Sequence, residues 1–493
     1  MATFLFERRA IAGGFLLAAF AIATWLLWPQ PPSSRDVPVI IYLVDTLRAD
    51  RLGTYGYSKP TSPFIDALAA ESVIFDSAYA PAPWTLPSVV SLVTSTFVCE
   101  HGVISNRTRL GTSLPTLAGQ LSSAGYRTAG IYANPYAGPK FGLERGYHEF
   151  SNAGRQNVDR GAVERLLNRV GNRPEDPAES APFFFYLHTT ETHNPFDAPF
   201  RVTNRFGKIR NEQRTQMRDL VMKLRGLSIF DWASGKTTGT TNNMVLQNQV
   251  MAELASMQDT VNLLYDSAVW WADANLKSII DVLKKRGVWD KAIFIFLSDH
   301  GEELGDHGGW LHDQSVYQEL ARVPLLIHFP DDEFAGRRID EPVSLVDIMP
   351  TIFDYLGRPE LCTSCRGTSL LPLIGGRVEK SETRNAIVSV RANVMKYYGP
   401  WKKSRGDINI VARQEQWKGI WNDDAASLEL YDLYQDPAEK VDVSTKEAEM
   451  TQVLSEAAEQ WLRNCRARAV ADEEAVDMDQ ETIDEFRALG YFN

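Results

Sequence analysis

Fifteen residues in the second half of the chain carry an unusual density of groups that can bind a metal ion. Residues 298 to 312 read SDHGEELGDHGGWLH, so they hold three of the eight histidines and four acids. They follow directly on the apolar run AIFIFL, which is typical of a buried strand. Two interpretations compete for such a segment, a solvated turn and a metal site.

The ends of the apolar runs favour the metal site. VPVIIYLV (37–44) is followed by Asp45, FFFYL (183–187) by His188, and AIFIFLS by Asp299 and His300. In open α/β sheets, ligands bind beyond the carboxyl ends of the strands. Strand ends that converge on one edge of a sheet would bring these carboxylates and imidazoles together.

A threonine at the start of a predicted helix adds a hydroxyl group to this set. In APAPWTLPSVVSLVTS, Thr85 lies two residues before Pro87, and proline favours the first helical turn. Thr85 taken alone fits a plain helix cap. A helix N-terminus also offers free amides and a positive dipole, which suit an anionic group and an alkoxide nucleophile.

The elements that must position these residues alternate between strand and helix patterns, which predicts a doubly wound α/β sheet with helices on both faces. We expect a catalytic domain at 37–375, in which the polar stretch 205–258 is an insertion or a mobile loop. Residues 376–493 predict a small antiparallel sheet followed by closing helices. The net charge of −12 argues against a nucleic-acid partner.

The N-terminal segment, residues 1–36, predicts a membrane anchor and a short spacer. The run from Ala10 to Trp28 has 19 residues and no charge, and Arg8 and Arg9 precede it. An uncleaved anchor is favoured over a cleaved signal peptide, and either one places the body in the periplasm or outside the cell. Cys362 and Cys365 favour a local disulfide in that compartment, whereas Cys99 and Cys465 either pair or stay buried as thiols.

Several longer segments carry a family resemblance. IIYLVDTLRADRLGTYGY, TSPFIDALAAESVIFDSAYAPAPWTLPSVVSL, FFFYLHTTETHNPF, FLSDHGEELGDHGGWLHDQSVYQELARVPLLI and LELYDLYQDPAEK occur in this order between roughly 37 and 445. They resemble the sulfatase branch of the alkaline phosphatase superfamily. The resemblance implies an alkaline-phosphatase-like sheet, a divalent metal ion and an anionic ester substrate.

The chain departs from the sulfatase pattern at the nucleophile. A sulfatase makes formylglycine from Cys or Ser in C/S-x-P-x-R, whereas Thr85 to Val89 read TLPSV here. Oxidation of threonine would give a ketone, and the arginine is absent. The set Asp45, Thr85, Asp299 and His300 resembles the metal ligands of threonine-nucleophile phosphotransferases, which move phosphoethanolamine or phosphoglycerol onto envelope glycans. An imidazole in place of a carboxylate favours zinc or manganese over calcium.

The resemblance also implies roles for three further histidines. His193 and His312 match residues that contact the substrate phosphate or a second metal, and they would act either protonated or through that metal. His188 is either part of the ligand shell or a hydrogen-bond partner of it. We therefore expect cleavage or transfer of a phosphate or sulfate ester through Thr85, on an envelope or extracellular glycan or lipid. The alternatives are a sulfuric ester hydrolase without formylglycine, and an inactive, membrane-tethered protein that binds an anion.

The remaining histidines have weaker signals. His101 resembles a family position at the rim of the site, and we expect it to be structural, as we do His148 and His328. His307 lies between an aspartate and two glycines, which favours a solvated turn.

Overall fold

The computed structural model describes residues 35–154, 157–170, 181–196, 198–228, 241–376, 386–392, 408–423, 425–470 and 474–476, together with residues 480, 484 and 486. The predicted anchor at 10–28 lies outside these ranges, so it stays a prediction. Within them, no helix has the length and apolar character needed to cross a bilayer.

The strands of the described residues form one large sheet and several small ones. In chain order they are β1 Val39–Val44, β2 Val73–Phe75, β3 Ala78–Tyr79, β4 Thr108–Arg109, β5 Arg127–Tyr132, β6 Glu149–Asn152, β7 Phe183–Thr189, β8 Ile293–Leu297, β9 Glu303–Leu304, β10 Trp310–Leu311, β11 Leu325–His328, β12 Arg338–Ile339, β13 Val343–Ser344, β14 Ala386–Ala392, β15 Ile408–Gln414, β16 Trp417–Asn422, β17 Ser427–Asp432 and β18 Glu474–Ala475.

The helices of the same ranges vary from single turns to the 28 residues of the longest one. They are α1 Pro63–Leu68, α2 Thr85–Thr94, α3 Val98–His101, α4 Leu117–Ser123, α5 Arg160–Val170, α6 Phe200–Thr203, α7 Asn211–Ser228, α8 Thr241–Ser256, α9 Gln258–Lys285, α10 Gln318–Ala321, α11 Ile348–Tyr355, α12 Leu371–Ile374 and α13 Ala448–Ala467.

The large sheet has the order β12-β2-β11-β8-β1-β7-β5-β6. Strand β1 lies near its centre and pairs in parallel with β7 and β8. Its side chains alternate between two apolar cores: Ile40 and Tyr42 pack on the face covered by α9, whereas Val39 and Ile41 pack on the face covered by α2. Both faces of β1 are therefore covered, which explains why the strand is apolar throughout. The predicted α/β sheet with helices on both faces is confirmed.

The sheet is mixed rather than parallel throughout. Strand β11 runs antiparallel to both β8 and β2. The short segment from Glu303 to Ala321, which contains β9, β10 and α10, joins β8 to β11. The apolar run VPLLIHF (323–329) is typical of a strand but carries no information on its direction, since a buried antiparallel strand is as apolar as a parallel one.

The stretch 205–258 is largely helical in its described parts. Helices α7 and α8 pack against each other and against α9. One face of α7 buries Met217, Leu220, Val221 and Leu224 in the core. The spacing of these residues is that of an amphipathic helix, so the alternative of a mobile loop is wrong for residues 211–228 and 241–256.

The C-terminal part contains the predicted antiparallel sheet, in the order β14-β15-β16-β17, and α13 covers one face of it. Strand β15 was not predicted from the sequence. A disulfide joins Cys99 in α3 to Cys465 in α13, and a second one joins Cys362 to Cys365. The local disulfide is thus confirmed, and of the two alternatives for Cys99 and Cys465 the structure has the pair.

Candidate active site

Four adjacent strands place polar side chains at one edge of the large sheet. In the sheet order β8-β1-β7-β5, Asp299 lies just beyond β8, Asp45 just beyond β1, His188 near the end of β7 and Asn134 just beyond β5. Neighbouring strands lie about 4.8 Å apart, which brings these groups within contact of one another. The first three were predicted from the sequence as site residues, whereas Asn134 was not.

Thr85 is the first residue of α2, and Trp84 is its extended N-cap residue. The Thr85 hydroxyl oxygen lies 3.3 Å from His300 Nε2 and accepts a hydrogen bond from Asn134 Nδ2 at 3.1 Å. The helix is held over the sheet edge by Ser88, whose hydroxyl donates to the Asp299 carbonyl at 2.6 Å. The structure therefore brings Thr85 into the group of strand-end residues.

Two carboxylate oxygens of this group are buried without a hydrogen-bond partner among the described residues: Asp45 Oδ1 and Asp299 Oδ2. One ligand atom each from Asp45, His188 and Asp299 lie within 4.8 Å of one another. Buried polar atoms are nearly always satisfied, and a pair of unsatisfied carboxylate oxygens beside an imidazole fits a divalent cation.

The tautomer of His300 supports the same interpretation. Its Nδ1 lies 2.8 Å from the Gly301 carbonyl oxygen, which only an N–H can approach, so Nε2 carries the lone pair. That nitrogen lies 3.5 Å from Asp45 Oδ1 and 3.5 Å from Asp299 Oδ2, the two unsatisfied oxygens. A backbone carbonyl that fixes the ring in this way is a usual companion of a metal-binding histidine.

The two aspartates have opposite electrostatic environments. Burial acts to raise the pKa of Asp45, but His193, His188 and His300 outweigh it and hold that pKa well below its usual range. Burial, and then the Asp45 charge, raise the pKa of Asp299 well above its usual range. In the absence of a cation, Asp45 is charged and Asp299 resists ionisation. A bound cation would stabilise the charged form of both carboxylates.

His193 and His312 lie on the outer side of this group. The His312 ring centroid is 4.7 Å from that of His300 and 5.4 Å from that of His193. Burial acts to lower the pKa of His312, yet the Glu302 carboxylate, 3.3 Å from Nδ1, leaves that pKa raised. Glu302 was not predicted as a site residue, although it lies only two residues after His300.

His193 has a different environment. Its Nδ1 lies 2.9 Å from the Asn194 carbonyl oxygen, and its Nε2 lies 3.3 Å from an N–H nitrogen of Arg225. Burial lowers the pKa of His193 well below its usual value, Arg225 acts in the same direction, and Asp45 opposes them. This environment favours the neutral imidazole. It therefore disfavours the protonated form of His193, which is one of the two alternatives given above from the sequence.

Three residues next to this group have a strained backbone conformation. Thr46, directly after Asp45, has φ 62°, and Leu311 and Asp313, on either side of His312, have φ 75° and 82°. Positive φ is a genuine outlier for β-branched and bulky residues, and such outliers cluster at functional sites. Hydrogen bonds hold Thr46 in place: its carbonyl accepts from the Tyr265 hydroxyl at 2.7 Å, and its own hydroxyl donates to the Asp45 carbonyl at 2.6 Å.

The other histidines lie away from this group. His101 is fully buried, His148 bonds to Thr128, and His328 stacks on Trp289, as expected of structural residues. The expectation of a solvated His307 was wrong. Its side chain is 14% exposed, with Nδ1 2.6 Å from a Glu319 carboxylate oxygen, because the ring is enclosed by Glu319, the Tyr317 ring and the Glu439 carbonyl.

Comparison with known proteins gives two family matches. The sulfatase family matches residues 38–358, and the C-terminal region of N-sulphoglucosamine sulphohydrolase matches residues 305–467. An N-acetylglucosamine-6-O-sulfatase of Bacteroides thetaiotaomicron is 24% identical over 91% of this chain and 90% of its own length. An arylsulfatase of Clostridium perfringens is 26% identical over 83% of this chain and 90% of its own length.

Solved structures share the fold. A protein in complex with its substrate D-glucosamine-2-N,6-O-disulfate superimposes with a TM-score of 0.63 at 20% identity, over 87% of this chain and 99% of its own. The phosphonate monoester hydrolase of Agrobacterium radiobacter superimposes with a TM-score of 0.62 at 22% identity, over 90% of this chain and 98% of its own.

Proposed function

The chain belongs to the sulfatase family of ester hydrolases, and from this premise we propose that it cleaves or transfers a phosphate or sulfate ester by attack of the Thr85 hydroxyl group. The proposal rests chiefly on the two unsatisfied oxygens, Asp45 Oδ1 and Asp299 Oδ2. They lie beside the His300 nitrogen that contacts Thr85. An inactive relative would have no need of two buried carboxylate oxygens without hydrogen-bond partners next to a hydroxyl group.

The residues present fit a divalent cation, with Asp45, His188, Asp299 and His300 to hold it and Thr85 beside them. When bound, such a cation stabilises negative charge on oxygen and lowers the pKa of a hydroxyl group close to it. The imidazoles favour zinc or manganese over calcium, which takes oxygen ligands.

The chain's own residues have separate tasks in this proposal. Asn134 holds the Thr85 oxygen by donating an N–H to it, and the start of α2 supplies backbone amides for the charge that develops on the ester. The Thr85 hydroxyl group would lose its proton to water, and its oxygen would bond to the central atom of the ester as the bond to the leaving oxygen breaks. The group would then stay on Thr85 as a covalent ester, which water or an alcohol releases. His312, with Glu302 at its Nδ1, can supply a proton to the leaving oxygen.

The absence of a formylglycine precursor favours a phosphate ester. Position 85 holds a threonine instead of the Cys or Ser that formylglycine requires, and threonine is a competent nucleophile towards phosphorus. A second candidate, sulfate ester hydrolysis without formylglycine, is supported by the similarity to an N-acetylglucosamine-6-O-sulfatase over 91% of the chain. That relative and the disulfated glucosamine bound in a structural neighbour support an anionic sugar of an envelope or extracellular glycan as the substrate in either case.

We also propose that the body of the protein is exported and anchored by the segment 10–28. The charge asymmetry around that segment supports this. The two disulfides support it as well, because such bonds form and persist in oxidising compartments.

A substrate panel tests the proposed activity. Purified protein supplied with zinc or manganese would be assayed with an aryl phosphate, an aryl phosphodiester and an aryl sulfate that share one leaving group. We expect turnover of at least one ester, and mass analysis of a quenched reaction should find the transferred group on the peptide that carries WTLPSVV. Turnover without that adduct, by a protein whose Thr85→Ala variant is equally active, would contradict the proposal.

A further inference from the structure

A group of charged side chains at the tip of one hairpin lies outside the group around Thr85. Strands β9 and β10 form this hairpin, residues 303–311, and His312 follows it directly. Asp306 and His307 lie in the turn between the two strands. Their partners come from the turn after β1, from α10 and from the loop after β17, so the tip of the hairpin joins three segments that are far apart in the chain.

The His307 ring faces two hydrogen-bond acceptors at once. Nε2 lies 3.0 Å from the Glu439 carbonyl oxygen, and Nδ1 lies 2.6 Å from a Glu319 carboxylate oxygen. A carbonyl oxygen only accepts, so Nε2 must carry a proton. The Nδ1 contact needs a second proton between the ring and the carboxylate, because two lone pairs at that separation would repel each other. These contacts therefore correspond to an imidazolium that is paired with the Glu319 carboxylate.

The other groups that face the ring leave it in this protonated form. Burial acts to lower the pKa of His307, but the Glu319 carboxylate outweighs both burial and the charge of Lys440 and leaves that pKa raised. The Tyr317 ring stacks on the imidazole with the centroids 3.8 Å apart. The Tyr317 hydroxyl donates to a Glu429 carboxylate oxygen at 3.2 Å, so this phenol does not compete for the His307 partners.

Glu439, whose carbonyl accepts from His307, is itself fixed by a buried ion pair. One of its carboxylate oxygens lies 2.5 Å from Lys418 Nζ, and the other accepts the Gln318 N–H at 2.6 Å. Lys418 is fully buried and also donates to the Val316 carbonyl at 2.9 Å. The loop after β17 is therefore held against the start of α10, and both segments present acceptors to His307.

Asp306 connects the same tip to the turn after β1. Its two carboxylate oxygens accept from the Arg48 guanidinium at 2.6 and 3.1 Å, and Lys440 Nζ donates to its carbonyl oxygen. Arg48 also donates to the Glu302 carbonyl at 3.1 Å, and the Glu302 carboxylate lies 3.3 Å from His312 Nδ1. The contacts at the tip thus continue to the residue that follows the hairpin at the candidate site.

We propose that His307 is a positioning residue, whose imidazolium holds the hairpin 303–311 against Glu319 and Glu439 and thereby holds His312 at the active site. The inference rests on the proposed function, since it concerns the residue that supplies a proton to the leaving oxygen there. Without its second proton, His307 Nδ1 would turn a lone pair towards the Glu319 carboxylate, and the hairpin would lose this contact.

The inference has a definite dependence on pH. A histidine in an opened segment has a pKa of about 6.5, and the closed hairpin raises the pKa of His307 above this value. The closed state therefore binds the additional proton between the two values. The contribution of His307 is complete below about pH 6.5 and is lost as the pH rises through the raised pKa.

Hydrogen exchange of the hairpin amides tests this without requiring turnover. Protection of peptides that cover 303–311 would be measured in the full chain between about pH 6 and about pH 9, after correction for the intrinsic pH dependence of exchange. In the unmodified protein we expect constant protection up to about pH 6.5 and then a loss of up to about tenfold per pH unit, because opening releases one proton. Protection that did not change with pH would overturn the inference.

Three variants separate the charge of the ring from its packing. His307→Gln cannot carry the charge, so protection should be low at every pH. His307→Lys keeps a positive charge opposite Glu319, and its protection should stay constant over this range because a lysine has a pKa of about 10.4. His148→Gln makes the same substitution at an exposed histidine that bonds to Thr128, and it should behave as the unmodified protein. Unchanged pH dependence in His307→Gln would overturn the inference.

Steady-state kinetics provide a readout that a purely structural role would not give. At about pH 6.5, His307→Gln should lower kcat by roughly tenfold to a hundredfold, as expected when a reacting group is misplaced from a distance. The KM should change little, because His307 lies outside the group around Thr85, and His307→Lys should recover part of kcat. Lost protection together with an unchanged kcat would overturn the positioning role.

The same measurements distinguish this inference from the proposed function. If Thr85→Ala were as active as the unmodified protein, Thr85 would not be the nucleophile, but protection of the hairpin would still report on His307. If Thr85→Ala lost turnover while His307→Gln kept both protection and kcat, the role of His307 would be wrong and that of Thr85 would stand.

Discussion

Asn134 donates its side-chain N–H to the hydroxyl oxygen of Thr85 at 3.1 Å. Because this oxygen accepts, the Thr85 proton must point to another acceptor, and His300 Nε2 lies 3.3 Å away. The Asn134 amide nitrogen also lies 2.6 Å from Asp45 Oδ2. The Asn134 side-chain amide thus links the Thr85 hydroxyl group to the Asp45 carboxylate and fixes the direction of the lone pairs on the Thr85 oxygen.

Replacing Thr85 tests the nucleophile directly. Thr85→Ala should lose nearly all turnover, on the order of several kcal/mol of activation free energy, because the covalent route closes. Thr85→Ser should retain part of the activity, since the hydroxyl group survives and only a methyl group is lost. The two variants would be compared by kcat/KM and metal content. Normal turnover by Thr85→Ala would make Thr85 a helix residue only.

Asn134 should lower the activation barrier by stabilising the negative charge that develops on the Thr85 oxygen. We expect Asn134→Ala to lower kcat by roughly 10²-fold, the magnitude found when one donor to a developing oxyanion is removed. The KM should change little, because the lost hydrogen bond reaches the enzyme's own oxygen rather than the substrate. A matched control is Asn152→Ala, an exposed asparagine at the carboxyl end of the outermost strand β6. An unchanged kcat in Asn134→Ala would exclude this role.

The metal prediction concerns stoichiometry and identity. About one zinc or manganese ion per chain should copurify with the protein, as measured by elemental analysis, and Asp299→Ala should abolish its binding because one of the two unsatisfied oxygens is lost. Asp290→Ala removes an exposed carboxylate at the other end of β8 and should keep the ion. Selective binding of calcium, or full activity without metal, would count against the ligand set.

The acid stability of the fold should depend on His101. Its Nδ1 accepts the Val103 N–H at 3.0 Å, its Nε2 lies 3.0 Å from the Ser91 hydroxyl, and burial lowers the pKa of His101 to about 3. In the unfolded chain a histidine has a pKa of about 6.5. Between these values the unfolded state binds the additional proton. The stability contributed by the neutral ring is therefore complete above about pH 6.5 and is lost as the pH falls towards 3.

His101→Gln should reduce the dependence of unfolding free energy on pH over that window, by up to about 1.4 kcal/mol per pH unit. Denaturant unfolding of both proteins between about pH 7 and pH 4 measures it. Because the variant also loses packing, its stability would be lower at every pH. The slopes, not the absolute values, carry the comparison, and equal slopes would show that His101 does not titrate in this way.

The proposed topology predicts where a fused reporter works. A reporter enzyme that is active only in the cytoplasm should be silent when it is fused after residue 40. A reporter that is active only in the periplasm should be active when it is fused at the same position. Replacing Arg8 and Arg9 by glutamate should weaken this preference, because the flanking positive charges orient the segment. Strong cytoplasmic activity of the unmodified fusion would reject the proposed export.

The residues that the sequence predicted best are those next to uninterrupted apolar strands. Asp45, His188 and Asp299 were identified because a buried parallel strand is visible as a run of apolar residues and because such strands end at a common edge. Asn134 follows the strand RTAGIYA in the same way, so a signal for it existed. An asparagine after a strand is more common as a turn residue, and nothing in the sequence tells the two apart.

Arg225 could not be identified in this way. The α7 helix is visible in the spacing of Met217, Leu220, Val221 and Leu224, but an amphipathic pattern does not say which part of the fold the helix covers. The direction of β11 was equally hidden. Both depend on contacts between segments far apart in the chain, and these contacts have no local signature.

The strand order also has a consequence for the time at which the site can form. Thr46, next to Asp45, and Asp299 contact each other across 253 residues of chain, and β1 pairs directly with β8. Contacts of such separation form slowly and only after both segments exist. At about 5 to 20 residues per second, roughly 13 to 50 seconds of synthesis separate the two aspartates. A ribosome-bound chain that ends before β8 therefore holds Asp45 without its neighbour, so the proposed cation could bind only after β8 has been synthesised and could not guide the earlier steps of folding.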